Sequence, residues 1–191
     1  DRHDACGVGL IASTEGKKSR NVVEYGIEAL KAVWHRGAVD ADGKTGDGAG
    51  IHVEIPKDFF IEKIEVTGHT HDSSDICVGM IFLPRNDYAA QESCKTIVES
   101  ELTKNDFNIY GWRQVPVNPK VLGEKAFQTM PEIIQVLFKS HNKELTNKDL
   151  ERKIYETRRK IENEVFKKSL NNFYICSLSS KLSVSYTHLT L

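Results

Sequence analysis

Residues 76–83 form an unbroken apolar stretch, Ile-Cys-Val-Gly-Met-Ile-Phe-Leu, between Asp75 and Pro84. A short apolar run of this length, bounded by turn formers, is typical of a strand that is buried on both of its faces. The stretch therefore predicts a central strand in a sheet that is covered by other layers.

The sequence after this strand alternates between helical and strand patterns. Asp87 is suited to cap a helix that runs to about residue 103, and a long charged helix is predicted over about 147–170. The strands predicted in this part of the chain are 106–117, 132–138 and 173–178. Helices that alternate with strongly apolar strands favour an α+β architecture, with helices packed on sheets.

The sequence before the central strand is richer in glycine. Residues 6–12, Cys-Gly-Val-Gly-Leu-Ile-Ala, predict a short buried strand, and Asn21 is suited to cap a helix that ends before Gly37. A glycine-rich loop over residues 37–50 then leads into an alternating strand, 51–55. No internal repeat or low-complexity linker separates these parts, so a single domain is expected.

Composition excludes several functional classes. The 191 residues carry 26 Lys and Arg against 27 Asp and Glu, a net charge of −1, which argues against a nucleic-acid or membrane-surface binder. No apolar run approaches a transmembrane span, and neither end resembles a secretory signal. The four cysteines are widely spaced and form no CxxC pair, which favours reduced thiols and a cytoplasmic location.

Three of the cysteines differ in setting from the fourth. Cys77, Cys94 and Cys176 lie in apolar patterns and are predicted to be small buried side chains, whereas Cys6 stands beside Gly7 after a charged segment. A metal cluster is an alternative for one segment, whose possible ligands are His69, His71, Asp72, Asp75 and Cys77. The segment has the composition of a solvated loop, so no metal site is predicted.

The glycine-rich loop allows two phosphate-binding interpretations, and both fail. Gly43-Lys44-Thr45 resembles the end of a P-loop, but Ala38 stands where that motif needs glycine, and a strand follows instead of a helix. A dinucleotide-binding fingerprint is also absent after residues 6–12, where Ala12 occupies the third glycine position. A turn-rich connection and a loop that packs against a site both remain open.

Three segments in one order carry a specific resemblance. They are Asp4-Ala5-Cys6-Gly7-Val8-Gly9-Leu10-Ile11, His35-Arg36-Gly37-Ala38, and the run from Asp40 to Ile51, Asp-Ala-Asp-Gly-Lys-Thr-Gly-Asp-Gly-Ala-Gly-Ile. Together they resemble the amino-terminal glutaminase domain of the glutamate synthase family, a class II glutamine amidotransferase domain. Residues 173–180, Phe-Tyr-Ile-Cys-Ser-Leu-Ser-Ser, are also similar to that family, so the resemblance covers about residues 2–182.

The resemblance implies a fold and a chemistry. The fold is the four-layer αββα N-terminal-nucleophile hydrolase fold, incomplete at its C-terminus. Cys6 is then the catalytic nucleophile, and its own α-amino group is the base that accepts the thiol proton. Arg36 would bind glutamine, although a cation at this position also suits the C-terminus of a helix. Gly7, Gly37 and Asp47 would line the site as loop residues, and His35 is expected to be structural.

Two departures from the family pattern set further expectations. Residues 1–5 precede Cys6 and block its α-nitrogen, so they are expected to be a leader that is removed. The family's oxyanion hole comes from an Asn-Gly pair, and no Asn-Gly dipeptide occurs in the 191 residues. Residues 6–183 are therefore expected to be the front part of the domain, 184–191 an atypical tail, and the isolated chain inactive or nearly so.

Cofactors and partners follow from the resemblance in the same way. No cofactor is expected in this chain, whereas FMN and an iron–sulfur cluster are implied for the full-length protein. The implied partners are L-glutamine, downstream synthase domains of the same polypeptide and a small NADPH-oxidising subunit, with neither nucleic acid nor membrane. Another class II amidotransferase and a non-catalytic interaction domain of the same fold remain the alternatives.

Overall fold

The computed structural model describes residues 7–33, 39–46, 48–66 and 76–188, with only the backbone described at 185–188. The chain divides into two compact units. The first unit comprises Asp1–Val53, Val117–Met130 and Ser185–Leu191, and the second comprises Glu54–Pro116 and Pro131–Val184.

Helices and strands alternate along the described residues. In chain order they are α1 (Arg20–Ala32), β1 (Gly48–Glu54), α2 (Lys57–Val66), β2 (Cys77–Leu83), α3 (Tyr88–Lys104), β3 (Phe107–Gln114), α4 (Glu124–Thr129), β4 (Glu132–Ser140), α5 (Asn147–Lys167), β5 (Tyr174–Ser179) and β6 (Leu182–His188). A short 3-10 turn, Pro119–Val121, precedes α4. Among these elements, β1 pairs with β6 in a two-stranded sheet.

The second unit is built on a four-stranded sheet with the order β3-β4-β2-β5, and each neighbouring pair is antiparallel. Strand β2 is flanked on both sides, and every residue of it except Phe82 is buried, which confirms the predicted central strand. Gly79 belongs there because a Cβ would lie 2.6 Å from Leu178 and 2.7 Å from Val136 on the flanking strands. The expected mixture of helices and sheets is confirmed.

Both faces of this sheet carry apolar side chains. On one face, Ile81 of β2 packs in a cluster with Leu102 of α3 and Ile161 of α5, all three with no exposed surface. On the other face, Val78 lies in a second cluster with Phe60 and Ile64 of α2. This two-sided burial explains why the sequence of β2 is apolar at successive positions rather than at alternate ones.

The helix termini show the local chemistry that starts each helix. The side chain of Asp87 accepts a hydrogen bond from the Ala90 N–H at 2.9 Å, which confirms the predicted cap of α3. The cap of α1 is Ser19, whose hydroxyl accepts from the Asn21 N–H at 3.2 Å, so the prediction that Asn21 caps this helix is wrong. Asn21 is instead the second residue of the helix, two residues after the cap.

Residues 7–12 contain no strand, contrary to the sequence prediction. Val8 is 98% exposed and Leu10 is 91% exposed, so these apolar side chains are not buried within the described structure. A strand needs a hydrogen-bonded partner, and no described residues pair with this segment. The apolar composition of this segment therefore does not by itself produce a strand. The sequence patterns also did not predict α2, which begins directly after Pro56.

A carboxylate of α5 holds the turn between β5 and β6. Glu151 accepts hydrogen bonds from Ser179 Oγ at 3.0 Å, from Ser180 N–H at 2.7 Å and from Ser180 Oγ at 2.5 Å. The next residue, Lys181, accepts a backbone hydrogen bond from Ile55 N–H at 2.9 Å. The helix thus anchors the chain reversal from which β6 begins.

None of the helices in the described part of the chain combines the length and the apolarity that crossing a membrane requires.

Candidate functional site

The described part of the glycine-rich loop is a closed hairpin, which we call the Asp40–Thr45 hairpin. Val39 and Gly46 form an antiparallel bridge at its base. Inside it, Asp40 N–H donates to the Thr45 carbonyl at 2.8 Å, and Gly43 N–H donates to the Asp40 carbonyl at 2.9 Å. Gly43 has a φ of +65°, a conformation that glycine adopts without strain, so the glycine is required by the turn itself.

Asp42 organises the interior of this hairpin. One carboxylate oxygen accepts from the N–H groups of Lys44 at 2.9 Å and Thr45 at 2.7 Å, and the other accepts from Thr45 Oγ1 at 2.5 Å. These hydrogen bonds stabilise the charged form, first of all the bond from the Thr45 hydroxyl, and they lower the pKa of Asp42 to about 2. Asp42 is therefore a fully ionised structural anchor at neutral pH rather than a proton donor.

The hairpin is docked against the start of α4. The backbone N–H of Glu124 donates to Asp42, and Lys125 Nζ lies 2.7 Å from Asp40 Oδ2. This ion pair lowers the pKa of Asp40 and raises the pKa of Lys125, in both cases mainly through the hydrogen bond between the two side chains. Successive residues of α4 therefore contact two different acidic residues of one hairpin.

Gly123 makes this docking sterically possible. A Cβ at this position would lie within 3 Å of Asp42 Oδ2, of Thr45 Oγ1 and of the Thr45 backbone nitrogen. Because one of these atoms belongs to the backbone, a larger residue would push the hairpin away from the helix. Gly123 has an ordinary φ of −70°, so space rather than backbone conformation requires the glycine.

The site residues predicted from sequence fall mostly outside the described residues. Four of them lie outside the described residues, namely Cys6, Arg36, Gly37 and Asp47. The fifth, Gly7, is described and is exposed, and no atom lies within 4 Å of the position that a Cβ would take. The described hairpin nevertheless connects two of these predictions along the chain. In the sequence, Gly37 comes two residues before Val39, and Asp47 directly follows Gly46.

The other cysteines are placed as hydrophobic side chains. Cys77 and Cys94 are buried in the sheet–helix core, as predicted, whereas Cys176 is only half-buried, at the register shift where β5 pairs with β2. Burial raises the pKa of the Cys94 and Cys176 thiols. A raised pKa leaves less reactive thiolate at neutral pH, so neither thiol is suited to act as a nucleophile.

The alternative metal site is not assembled by the described residues. His69, His71, Asp72 and Asp75 lie outside them, and Cys77 points into the core cluster of the sheet. Within the ranges that the structure describes, no group of three or more His, Cys, Asp or Glu side chains could hold a metal ion. The described residues therefore supply no ligand set for an iron–sulfur cluster.

The comparison with known protein families covers almost the whole chain. The class-II glutamine amidotransferase family matches residues 6–190, a match that starts at Cys6. The chain belongs to the class-II glutamine amidotransferases. The resemblance seen in the Cys6, His35-Arg36-Gly37 and glycine-rich segments is thereby confirmed.

Several curated relatives are glutamate synthases. The chain is 55% identical over 181 residues to the glutamate synthase [NADPH] large chain of Azospirillum brasilense, covering 95% of this chain and 12% of that protein. It is 40% identical over 182 residues to ferredoxin-dependent glutamate synthase 1, chloroplastic/mitochondrial, of Arabidopsis thaliana, covering 94% and 11% respectively. It is 39% identical over 181 residues to ferredoxin-dependent glutamate synthase of Cyanidium caldarium, and the match covers 93% of this chain and 12% of that protein. The chain thus spans about an eighth of the length of these relatives.

Sequence reasoning did not identify Gly123 and Lys125 as part of the hairpin's environment. The Asp40–Lys125 contact joins residues 85 positions apart, and neither Gly123 nor Lys125 belongs to a recognisable motif. The local signal that was available is the glycine immediately before a helix with an acidic first turn, which predicts a helix start but not its partner.

Proposed function

We propose that this class-II amidotransferase chain is the glutaminase part of a glutamate synthase, and that it hydrolyses L-glutamine through a thioester at Cys6. The observation that carries this proposal is the family match, which begins at Cys6 and continues to residue 190. The names of the curated relatives support the assignment to glutamate synthases among the class-II enzymes.

The chemistry assigned to Cys6 follows from its reactivity. A thiol has a reference pKa of about 8.5, and an α-amine has one of about 7.7–8.0, so the amine of an N-terminal cysteine can accept the thiol proton near neutral pH. The thiolate attacks the side-chain carbonyl of glutamine, the C–N bond breaks, and ammonia leaves with the transferred proton. Water then hydrolyses the thioester and releases glutamate.

This mechanism requires a free α-amine at Cys6. While Ala5 is attached, the α-nitrogen of Cys6 is an amide and cannot accept a proton, so residues 1–5 are removed in the active form. Arg36 binds glutamine in this proposal, with Gly7, Gly37 and Asp47 as loop residues of the site. The four-layer αββα fold of the family is part of the same proposal.

The ammonia serves a second reaction in downstream domains of the same polypeptide, where 2-oxoglutarate becomes glutamate. FMN and an iron–sulfur cluster belong to those domains, and a small NADPH-oxidising subunit supplies electrons. A cytoplasmic location is part of the same proposal, although the name of the Arabidopsis relative places that protein in chloroplasts and mitochondria. The 191 residues contain no Asn-Gly oxyanion pair, so the isolated chain is inactive or nearly so.

Labelling with a glutamine analogue that carries a diazoketone in place of the carboxamide tests the nucleophile. We expect a single adduct, located at Cys6 by peptide mass spectrometry, in the full-length polypeptide. Cys6→Ala abolishes both labelling and ammonia release, whereas Cys176→Ala, which removes a half-buried thiol of raised pKa, leaves both intact. Ammonia release by the Cys6→Ala variant would exclude the thioester mechanism, and activity with Asp1 retained would exclude the α-amine as the base.

A further inference from the structure

We infer that the second unit carries a binding site for a small organic carboxylate with an apolar body, in a cavity where α2 packs beside the edge strand β3. Lys63 of α2 and Arg113 of β3 bind the carboxylate, and buried apolar side chains of the same cavity receive the body. The inference is independent of the proposed glutaminase function, because none of the residues assigned to glutamine there lines this cavity.

A β-bulge in β3 brings two side chains of this strand to the α2 face of the sheet. The register with β4 shifts between Ile109 and Gly111. Side chains of a strand alternate between its faces, so Tyr110 and Arg113, which are three residues apart, would point to opposite faces of a regular strand. With the bulge, Tyr110 packs in the apolar cluster that includes α2, and Arg113 reaches the Phe59 ring of α2. Bulges redirect side chains in this way and are common next to functional sites.

Two cations meet at one aromatic ring beside the cavity. Lys63 Nζ lies 5.3 Å from the centroid of the Phe59 ring, and the guanidinium carbon of Arg113 lies 5.0 Å from it. Arg113 Nη1 also donates to Gln135 Oε1 at 2.7 Å, which fixes the direction of the guanidinium. Within the described ranges, neither cation has a carboxylate as an ion-pair partner. Two like charges held this close together attract an anion that both can bind.

The cavity that these cations line is otherwise largely apolar. Ile64, Tyr110 and Leu137 line it, and their exposed fractions are 0%, 6% and 3%. The volume of the cavity is about 300 Å³. Sites for small molecules measure about 300–1,000 Å³, so this cavity suits a ligand at the small end of the range. An inorganic anion would leave the apolar lining in contact with water, whereas an apolar body attached to the anion covers it.

Isothermal titration calorimetry of the full-length polypeptide tests the site. Benzoate is the probe, because it joins one carboxylate to one apolar ring. We expect a Kd of about 1 mM or tighter, as a ligand of this size can reach. Benzamide has the same shape without the charge, and acetate has the carboxylate without the ring. Each should bind at least about tenfold more weakly than benzoate.

Variants of the two cations locate the binding. Arg113→Gln should weaken benzoate binding about tenfold or more, because the guanidinium can bind a carboxylate through two N–H groups at once. Lys63→Gln removes a single point charge and should weaken binding about three- to tenfold. The matched control is Lys148→Gln, which removes an exposed lysine of α5 in the same unit and should leave the Kd for benzoate unchanged.

Several outcomes would overturn the inference. Benzoate that produces no binding heat, or that binds no more tightly than benzamide, would show that the cations do not form an anion site. Wild-type affinity in both Arg113→Gln and Lys63→Gln would place the binding elsewhere. Acetate that binds as tightly as benzoate would show that the apolar lining takes no part. Should Arg113→Gln fail to fold, Lys63→Gln and the comparison of benzoate with benzamide on the wild type decide, since both leave β3 unaltered.

Discussion

Asp42 illustrates how a single side chain can determine the shape of a loop. Its two carboxylate oxygens accept three hydrogen bonds from Lys44 and Thr45, and a fourth from the backbone of Glu124. A charged acceptor makes each of these bonds stronger than a bond between neutral groups. The glycine-rich sequence around it therefore adopts one closed conformation despite the flexibility of glycine.

Titration of Asp42 gives a prediction at this scale. Its pKa is lowered from 3.8 to about 2, so the carboxylate stabilises the folded hairpin fully above the ordinary value and loses this effect as the pH falls towards 2. We expect the carboxyl resonance of Asp42 and the amide resonance of Thr45 to shift together with a midpoint near 2. NMR titration of the purified chain measures both, and Asp42→Asn should abolish the Thr45 shift. A midpoint at 3.8 would mean that the hydrogen bonds do not form in solution.

The contacts of individual residues were predictable only where both partners are close together in the sequence. Gly43 and the acidic residues beside it form a recognisable turn pattern, whereas the partners of Asp42 and Asp40 on α4 lie about 80 residues away. No periodicity or spacing relates such distant segments, because the contact depends on how the intervening strands fold. The candidate nucleophile, by contrast, was identifiable from motifs that are contiguous in the sequence.

The helices and strands with long apolar patterns or clear caps agree most closely with the predictions from sequence. β2, α3 and α5 were predicted to within a few residues, since each combines a clear apolar pattern with a recognisable end. The segment at residues 7–12 has a strand-like composition, but strand formation depends on a partner that the composition does not specify. α2 was missed because Pro56 indicated the end of β1 and not the start of a helix.

The contact between α5 and the β5–β6 turn gives a prediction at the scale of elements. Removing the Glu151 carboxylate leaves the Ser180 N–H and two hydroxyls without their acceptor, so Glu151→Ala should lower the free energy of unfolding by about 1–3 kcal/mol. Glu156→Ala, an exposed glutamate of the same helix, is the matched control and should change it by less than about 0.5 kcal/mol. Urea unfolding of both variants measures the difference, and equal stabilities would show that α5 does not anchor the turn.

At the scale of the whole molecule, the proposed function assigns the nucleophile to Cys6 and substrate binding to Arg36 of this chain. Among the described residues, the two acidic residues of the hairpin and their partners on α4 belong to one structural unit. The proposed mechanism takes its oxyanion donors from an Asn-Gly pair, and no Asn-Gly dipeptide occurs in these 191 residues. Attack by Cys6 would then generate a negative charge that the chain by itself does not stabilise.

Extending the chain with a segment that supplies an Asn-Gly oxyanion pair should therefore restore catalysis in the proposed glutaminase. Loss of one oxyanion donor typically lowers the rate about 10²–10³-fold, so we expect the 191-residue chain to release ammonia from glutamine at least about 100-fold more slowly than the extended chain. Both proteins must begin at Cys6 for the comparison, which intact-mass measurement verifies. Alkylation of Cys6 by iodoacetamide reports whether the thiol itself is equally reactive in the two. Similar turnover in both would show that the oxyanion is stabilised by groups already present in this chain, and it would refute the proposal that the second half of the site lies elsewhere.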